Sequence, residues 1–219
     1  MPDFSDIEEM YLKTIFEVHS DTPGAIVKTN QIAELMGVSA ASVTEMVQRL
    51  TQREMVTHIP YRGCRLTTEG FHLAARIKRR EGLLEVLLAD VIGFNGDVKG
   101  VACKMEHAID TELEETLDRF LGYPEKTTEG NRIPSIERDF ETLGIGTLLP
   151  LARIPEGASA VIELIIANEV ESVTIQECGL GVDSVVSIKD GVAISEGKMI
   201  NLSDSLSMKI LARIRSEGV

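Results

Sequence analysis

Apolar residues recur at helical spacing through the first third of the chain. Ile7, Met10, Ile15 and Val18 fall near one face of a helix that Ser5-Asp6-Ile7-Glu8 opens as a capping box and that stops around Asp21-Thr22-Pro23-Gly24. A short helix is predicted from about Asn30 to Met36, with Gly37 suited to the left-handed position that closes it. Ser39 can cap a third helix that turns Val43, Met46, Val47 and Leu50 inward. A two-turn helix, a tight Gly-containing connection and a longer helix make a helix-turn-helix.

Beyond it the period changes. Met55 to Leu66 is apolar and β-branched at both ends around a Pro60-to-Gly63 turn, which predicts a two-stranded hairpin made basic near its tip by Arg62 and Arg65. Helix-turn-helix plus basic hairpin is a winged helix. Leu66-Thr67-Thr68-Glu69-Gly70 then opens a long helix to about Asp90, carrying Arg76, Lys78, Arg79 and Arg80. A second helix is expected from about Asp97 to Leu121. On it Met105, Ile109, Leu113 and Leu117 form an apolar stripe, suited to a dimer surface or to packing within one subunit. From Gly122 to Arg153 the chain is rich in Pro, Gly, Thr and Asn and reads as a linker, with a short helix near Ser135 to Leu143. Short β-branched runs follow at Ala160–Ala167, Ser172–Gln176, Ser184–Ile188 and Met199–Leu202, without helical periodicity. They suit a small barrel of about 70 residues. The expected architecture is therefore mainly α with β. A winged-helix DNA-binding domain spans 1–72, a helical dimerisation domain with linker 73–143, and a small β-barrel 144–219.

Charge sharpens this division. The formal charge of −13 argues against a nucleic-acid binder until it is resolved by region: residues 1–80 are net 0, residues 81–140 net −8 and residues 141–219 net −5. The near-neutral first part can present a basic face while the acidic remainder stays away from phosphates. Three cysteines without paired spacing point to a reducing compartment. The start Met1-Pro2-Asp3-Phe4-Ser5-Asp6 has no signal-peptide pattern, and the apolar stretch Leu83 to Phe94 is broken by Glu85 and Asp90 and too short to span a bilayer. A cytoplasmic protein is expected, with no membrane partner.

Candidate chemistry lies in two places. At the start of the third helix, Ser39, Ser42 and Thr44 can donate to phosphates while Ala40 and Ala41 allow close approach; the alternative is that the hydroxyls only cap and turn. Arg49 and Arg62 are candidate phosphate contacts. Glu45 stands where a base reader belongs, able to accept from a cytosine amino group or to repel backbone from a wrong register. Few bidentate base contacts are available, so DNA shape and thymine methyl groups are expected to carry much of the selectivity. The second place is Cys103-Lys104-Met105-Glu106-His107. On a helix Cys103, Glu106 and His107 share a face, and thiolate, carboxylate and imidazole together can hold a divalent transition metal. A buried Cys beside a solvent-facing Glu-His pair is the bland alternative. A thiol sensor at Cys103 is another. An enzyme using Cys103 and His107 is disfavoured because no oxyanion, phosphate or cofactor loop accompanies them.

Glu9-Met10-Tyr11-Leu12, Gln31-Ile32-Ala33-Glu34, Leu66-Thr67-Thr68-Glu69-Gly70, Ala102-Cys103-Lys104-Met105-Glu106-His107 and Gly130-Asn131-Arg132-Ile133-Pro134 resemble the metal-dependent repressors related to the diphtheria toxin repressor and mycobacterial iron-dependent regulators. Essentially the whole chain is covered, its last part resembling the family's SH3-like domain, also found in ferrous-transport accessory proteins. The resemblance implies a primary metal site at Met10, Cys103, Glu106 and His107, whose soft thioether and thiolate suit Fe(II), with Co(II), Ni(II) or Mn(II) as substitutes. It implies a homodimer on a palindromic double-stranded DNA operator, acting as an Fe(II)-activated repressor of iron homeostasis genes; a manganese-responsive repressor is the alternative. The family's ancillary site departs here. Its histidines fall at Glu81 and Lys99 and its glutamate at Glu85, with Glu169 and Glu171 the nearest candidates from the SH3-like part. The Lys99 ammonium between Glu81 and Glu85 would then take the place of a second metal, or stand as an ordinary surface ion pair.

Overall fold

The computed structural model describes residues 4–21 and 26–216, so the expected helix stop at Thr22-Pro23-Gly24 lies outside the described residues. Contacts divide the chain into two compact units, Met1–Arg80 with Pro134–Arg138, and Glu81–Ile133 with Asp139–Val219.

In the first unit α1 runs Asp6–Asp21, α2 Thr29–Met36 and α3 Ala40–Gln52. The capping box at the start of α1 is formed in both directions: Ser5 N donates to Glu8 Oε2 at 2.9 Å and Glu8 N to Ser5 Oγ at 3.3 Å. The buried face of α1 is Tyr11, Leu12, Ile15 and Phe16, whereas Ile7 is exposed and Met10 half-buried. Gly37 closes α2 at φ 66°, a conformation that costs glycine nothing, and Ser39 caps α3 by accepting from Ser42 N. Val43, Val47 and Leu50 join α1 and Ile32 in one core with Val56, Cys64 and Leu66. That burial pushes the Cys64 thiol up to about 11, so it is a packed, inert side chain.

The hairpin is β1 Val56–Ile59 paired with β2 Gly63–Leu66, and a bridge from Val27 to Cys64 bolts its root to the segment entering α2. Gly63 is required there, since a side chain would collide with the Val27 carbonyl. Then α4 spans Thr68–Val86. The first unit is completed by a five-residue return of the chain at Pro134–Arg138. Ile136 packs on the core, and the guanidinium of Arg79, 4% exposed, donates to Pro134 O at 3.3 Å and Ile136 O at 2.8 Å. His72 Nδ1 lies 2.8 Å from Glu137 Oε1. The short helix expected near Ser135 to Leu143 is therefore absent: Pro134 and the left-handed Glu137, φ 52°, make this an irregular strap.

The second unit holds the end of α4, a π-helical turn at Leu87–Ile92 closed by Gly93, α5 at Val98–Met105 and α6 at Thr111–Phe120. The single helix expected over Asp97 to Leu121 is two. After α5 a short 3-10 turn covers Glu106–Ala108, Ile109 is extended, and Asp110 caps α6 by accepting from Leu113 N at 2.8 Å. An aspartate able to cap has outcompeted helix continuation. The break splits the expected apolar stripe. Ile109 and Leu117 are 6% and 8% exposed in the unit's own core, while Met105 and Leu113 are 41% and 49% exposed.

The C-terminal part is a six-stranded sheet in the order β3-β8-β4-β5-β6-β7, with β3 Leu148–Pro150, β4 Ser159–Ile165, β5 Val185–Lys189, β6 Val192–Ser195, β7 Lys198–Met199 and β8 Ile210–Ser216. The strand expected at Ser172–Gln176 is instead helix α7, Glu169–Glu177, started by an Asn168–Glu171 capping box. Its Val170, Val173 and Thr174 imitate a strand in composition, and the cap decides the outcome. A one-turn helix α8, Asp204–Met208, precedes β8. Met208 and Leu211 enter the same core as Leu83, Ala102 and Leu121, so helical and β parts of this unit share apolar side chains. The fold class read from the sequence holds: a winged helix-turn-helix, a helical region and a small C-terminal β domain. No helix among the described residues is long and apolar enough to cross a membrane.

Candidate DNA-reading surface and metal centre

Every proposed reading residue on α3 and the wing is exposed: Ser39, Ala40, Ala41, Ser42, Thr44, Glu45, Arg49 and Arg62. The hydroxyls are partly committed. Ser39 and Ser42 Oγ lie 2.9 Å apart, and Thr44 Oγ1 donates to Ala40 O at 2.8 Å. Thr44 has thus used its only proton, and one of the two serines donates to the other; in this arrangement a single serine hydroxyl proton remains for a phosphate. The capping role and the phosphate role compete for the same protons.

The cations that reach backbone then gain weight, and one of them, Lys28, was missed in the sequence. A cleft of about 930 Å³ lies between the start of α2 and the wing, and Lys28, His58, Arg62 and Arg65 line it together with Tyr61. No acidic residue is among its described lining. The bridge between Val27 and Cys64 brings Lys28 to the wing, a long-range contact that no local pattern encodes. Gln48 is also exposed, one turn beyond Glu45 and Thr44 on the outer face of α3; helical spacing alone could have found it. At the wing tip Tyr61 has φ 60°, which costs a non-glycine residue roughly 1–2 kcal/mol.

Helix α1 is tied to the far end of α3. Arg53, the residue that ends α3, donates to Glu8 Oε2 at 2.9 Å and lies 3.6 Å over the Phe4 ring. Burial pushes the Glu8 carboxyl up, but the hydrogen bonds from Ser5 and Arg53 outweigh it and hold it below the ordinary value. Met10 follows two residues later on the same helix.

On the second unit Asp97 caps α5 through Gly100 N, and Cys103 sits half-buried near the helix end. Glu106 is 0% exposed, and its Oε1 lies 3.5 Å from His107 Nε2. The structure brings Glu106 and His107 together; among the described residues no three His, Cys, Asp or Glu side chains are gathered closely enough to hold an ion. The donor set nonetheless fits a metal chemically: a carboxylate is taken fully out of water at the end of α5, where burial costs most unless a counter-charge is supplied.

At the ancillary positions Glu81 and Glu85 are both buried, one turn apart on α4. Lys99 is exposed and makes no ion pair with a described residue, so the expected Lys99 bridge is not present in this conformation. The ammonium that meets a carboxylate is Lys209, 2.6 Å from Glu171 Oε1. Glu171 also accepts from Asn168 N at 3.0 Å, and these bonds, Lys209 foremost, hold its carboxyl below the ordinary value despite burial. Glu169 is exposed at the first turn of α7.

Comparison with known proteins bears on both sites. Residues 3–64 match the family described as iron dependent repressor, N-terminal DNA binding domain, and residues 67–135 that described as iron dependent repressor, metal binding and dimerisation domain. The diphtheria toxin repressor of Corynebacterium diphtheriae is 30% identical over 227 residues, covering 96% of this chain and 98% of the relative. The solved structure of T. acidophilum IdeR covers 98% of this chain and 100% of its own at 22% identity and a TM-score of 0.51. A manganese-dependent transcriptional repressor in complex with manganese covers 95% and 99% at 22% identity and a TM-score of 0.54. At those identities the two structures speak for the fold.

Proposed function

Because this chain belongs to the iron-dependent repressor family, we propose that it is a ferrous-iron-activated dimeric repressor, binding a palindromic operator to control iron homeostasis genes. The family membership itself makes it a metal-dependent transcriptional repressor rather than an enzyme, with a DNA-binding domain followed by a metal-binding and dimerisation domain. The observation that carries the reading is the set Cys103, Glu106 and His107 inside the matched metal-binding domain, its carboxylate buried beside its imidazole.

The residues that would hold the ion are Met10 of α1 with Cys103, Glu106 and His107. When bound, the ion supplies the positive charge that a buried carboxylate and a thiolate require. Thioether and thiolate are soft donors, and they favour Fe(II), Co(II) or Ni(II) over the oxygen-preferring Mn(II). The repressor solved with manganese motivates the second reading, a manganese-responsive protein, and the soft pair Met10 and Cys103 argues against it. For the ancillary positions we favour one ion per subunit. An exposed lysine cannot ligate while protonated, and Glu171 is already neutralised by Lys209.

On DNA, Ser39, Ala41, Ser42, Thr44, Glu45 and Gln48 would face base edges and nearby phosphates, and Arg49, Arg62, Lys28 and Arg65 would meet backbone. The deciding experiment is an anaerobic DNA-shift titration over Fe(II), Co(II), Ni(II) and Mn(II), with calorimetry for stoichiometry. Activation by Fe(II) at lower free concentration than Mn(II), with one ion per subunit, is expected. DNA binding indifferent to every metal would overturn the reading.

A further inference from the structure

Within the second unit, the ammonium of Lys209 stands between a carboxylate of the β part and the end of a long helix. It lies 2.6 Å from Glu171 Oε1 on α7, and the Lys209 side chain is 12% exposed. Its reach continues to Gly93, where a methyl group would stand 3.0 Å from Lys209 Nζ and 3.3 Å from Cε. Gly93, φ 74°, ends the helix that runs through α4 and the π-helical turn, and its N–H returns to Leu88 O. The last carbonyls of a helix carry partial negative charge. The missing side chain at Gly93 therefore serves twice, permitting left-handed backbone and letting the ammonium approach.

The backbone of Lys209 fixes where that ammonium can go. Its N–H donates to Leu206 O at 3.1 Å, and its carbonyl accepts from Ile166 N at 2.8 Å. Met208 and Leu211, close to it in the chain, are buried in the core that also holds Leu83, Val91 and Ala102. A second long cation closes on the helical part in a similar way. The stem of Arg153 lies against Gly122, φ 69°, just past α6, where a methyl group would stand 2.6 Å from Arg153 Cβ. An exposed pair of Lys209 and Glu171 would join only α7 to the start of β8 and be worth little. This ammonium is mostly out of water, and the helix end at Gly93 lies outside the β part, so it spans the junction.

We propose that Lys209 is a resident cation that clasps the β part to the helical part, doing permanently what an ancillary metal ion ligated from both parts would do only when bound. Glu171, the β-part candidate for such an ion, already has its counter-charge, and an incoming ion would have to displace a placed ammonium. This rests on the reading of one ion per subunit and adds to it that the β part stays docked with or without metal. The metal response is then confined to the primary ligands.

The test is backbone hydrogen exchange on the full-length protein, in chelator and with Co(II) or Mn(II), for the unmodified chain, Lys209→Met and Lys209→Arg. In the unmodified protein, protection of segments 87–94 and 164–172 should be the same with and without metal. Lys209→Met keeps the stem and removes the charge; both segments should exchange roughly tenfold faster, as for the loss of one charged hydrogen bond, while α1 to α3 exchange as before. Lys209→Arg should restore most of the protection, which a purely apolar role for the stem would not predict. Unchanged protection in Lys209→Met would overturn the proposal, and so would segments of the unmodified protein that become protected only when metal is added. A DNA-shift titration of the same unmodified protein separates the two readings: DNA binding indifferent to metal would remove the repressor reading and leave the exchange result to decide the clasp.

Discussion

The reading surface and the metal-ligand region are built on opposite principles. On α3 and the wing the side chains proposed to read DNA stand in water over a core of other residues. Val43, Val47, Leu50 and Cys64 hold the shape, and Glu45, Gln48, Arg49 and Arg62 project from it. At the end of α5 the carboxylate proposed as a metal ligand, Glu106, lies inside, 0% exposed, where the helix gives way to a 3-10 turn and Asp110 starts another. A surface of the first kind can be rewritten without disturbing the fold. A site of the second kind shares atoms with the fold, and its occupant changes what those atoms cost.

The largest expected effect breaks the contrast from the buried side. Cys103→Ala should cost more in metal affinity than the roughly 10–100-fold that losing an outer-sphere partner costs, abolishing metal-dependent DNA binding while the metal-free protein melts as before. An unaltered metal response would show that Cys103 is no ligand. Next, the double variant Met10→Asp with Cys103→Glu should invert the order of Fe(II) and Mn(II) in a DNA-shift titration, since two soft sulfur donors become hard carboxylate oxygens. A preserved order would locate selectivity elsewhere.

From the exposed side the effects are smaller and more uniform. Arg62→Ala should weaken binding to all sequences alike and reduce the salt slope of log K by about 0.9 for each phosphate no longer neutralised, with no change in melting temperature. A slope equal to that of the unmodified protein would deny Arg62 a phosphate. Glu8 sharpens the comparison, because it ties the two principles together: exposed α3 is anchored by a buried carboxylate at the start of α1. Glu8→Ala removes a cap and the Arg53 bond and should lower stability by about 1–2 kcal/mol, read by denaturant unfolding.

The smallest effect is one of pH. The folded Glu171 carboxyl lies below its ordinary value, so its bond to Lys209 stabilises fully above the usual glutamate range and is lost as pH falls through the depressed folded value. Melting temperature should decline below about pH 4.3, and Glu171→Gln should decline less over the same interval. Identical acid limbs would remove Glu171 from the balance.

The same contrast governs how far the chain could be read. Ser5 with Glu8, Gly37, Ser39 and the Pro60-to-Gly63 turn act over three or four residues, and each does in the fold what its pattern promises. Errors arose where two local signals compete, as at Asp110, whose cap cut a helix short, and at Asn168, whose cap turned β-branched residues into α7. What no pattern carries is contact at long separation. Lys28 reaches the wing only through Val27 and Cys64, and Lys209 finds Glu171 from 38 residues away. The proposed ligand set was read from Cys-x-x-Glu-His; the enclosure of Glu106 carried no signal there, because burial belongs to the whole unit.

The strap at Pro134–Arg138 bears on how such a protein can be taken apart. A gene fragment ending at Arg80 would encode α1 to α3, the wing and the first part of α4, yet leave the Arg79 guanidinium without the Pro134 and Ile136 carbonyls and the core without Ile136. The DNA-binding part is therefore no movable cassette: recombination that swaps it for another must bring a matching five-residue piece from more than fifty residues downstream. An isolated reader should be made with that piece supplied, as a fused or separately added peptide.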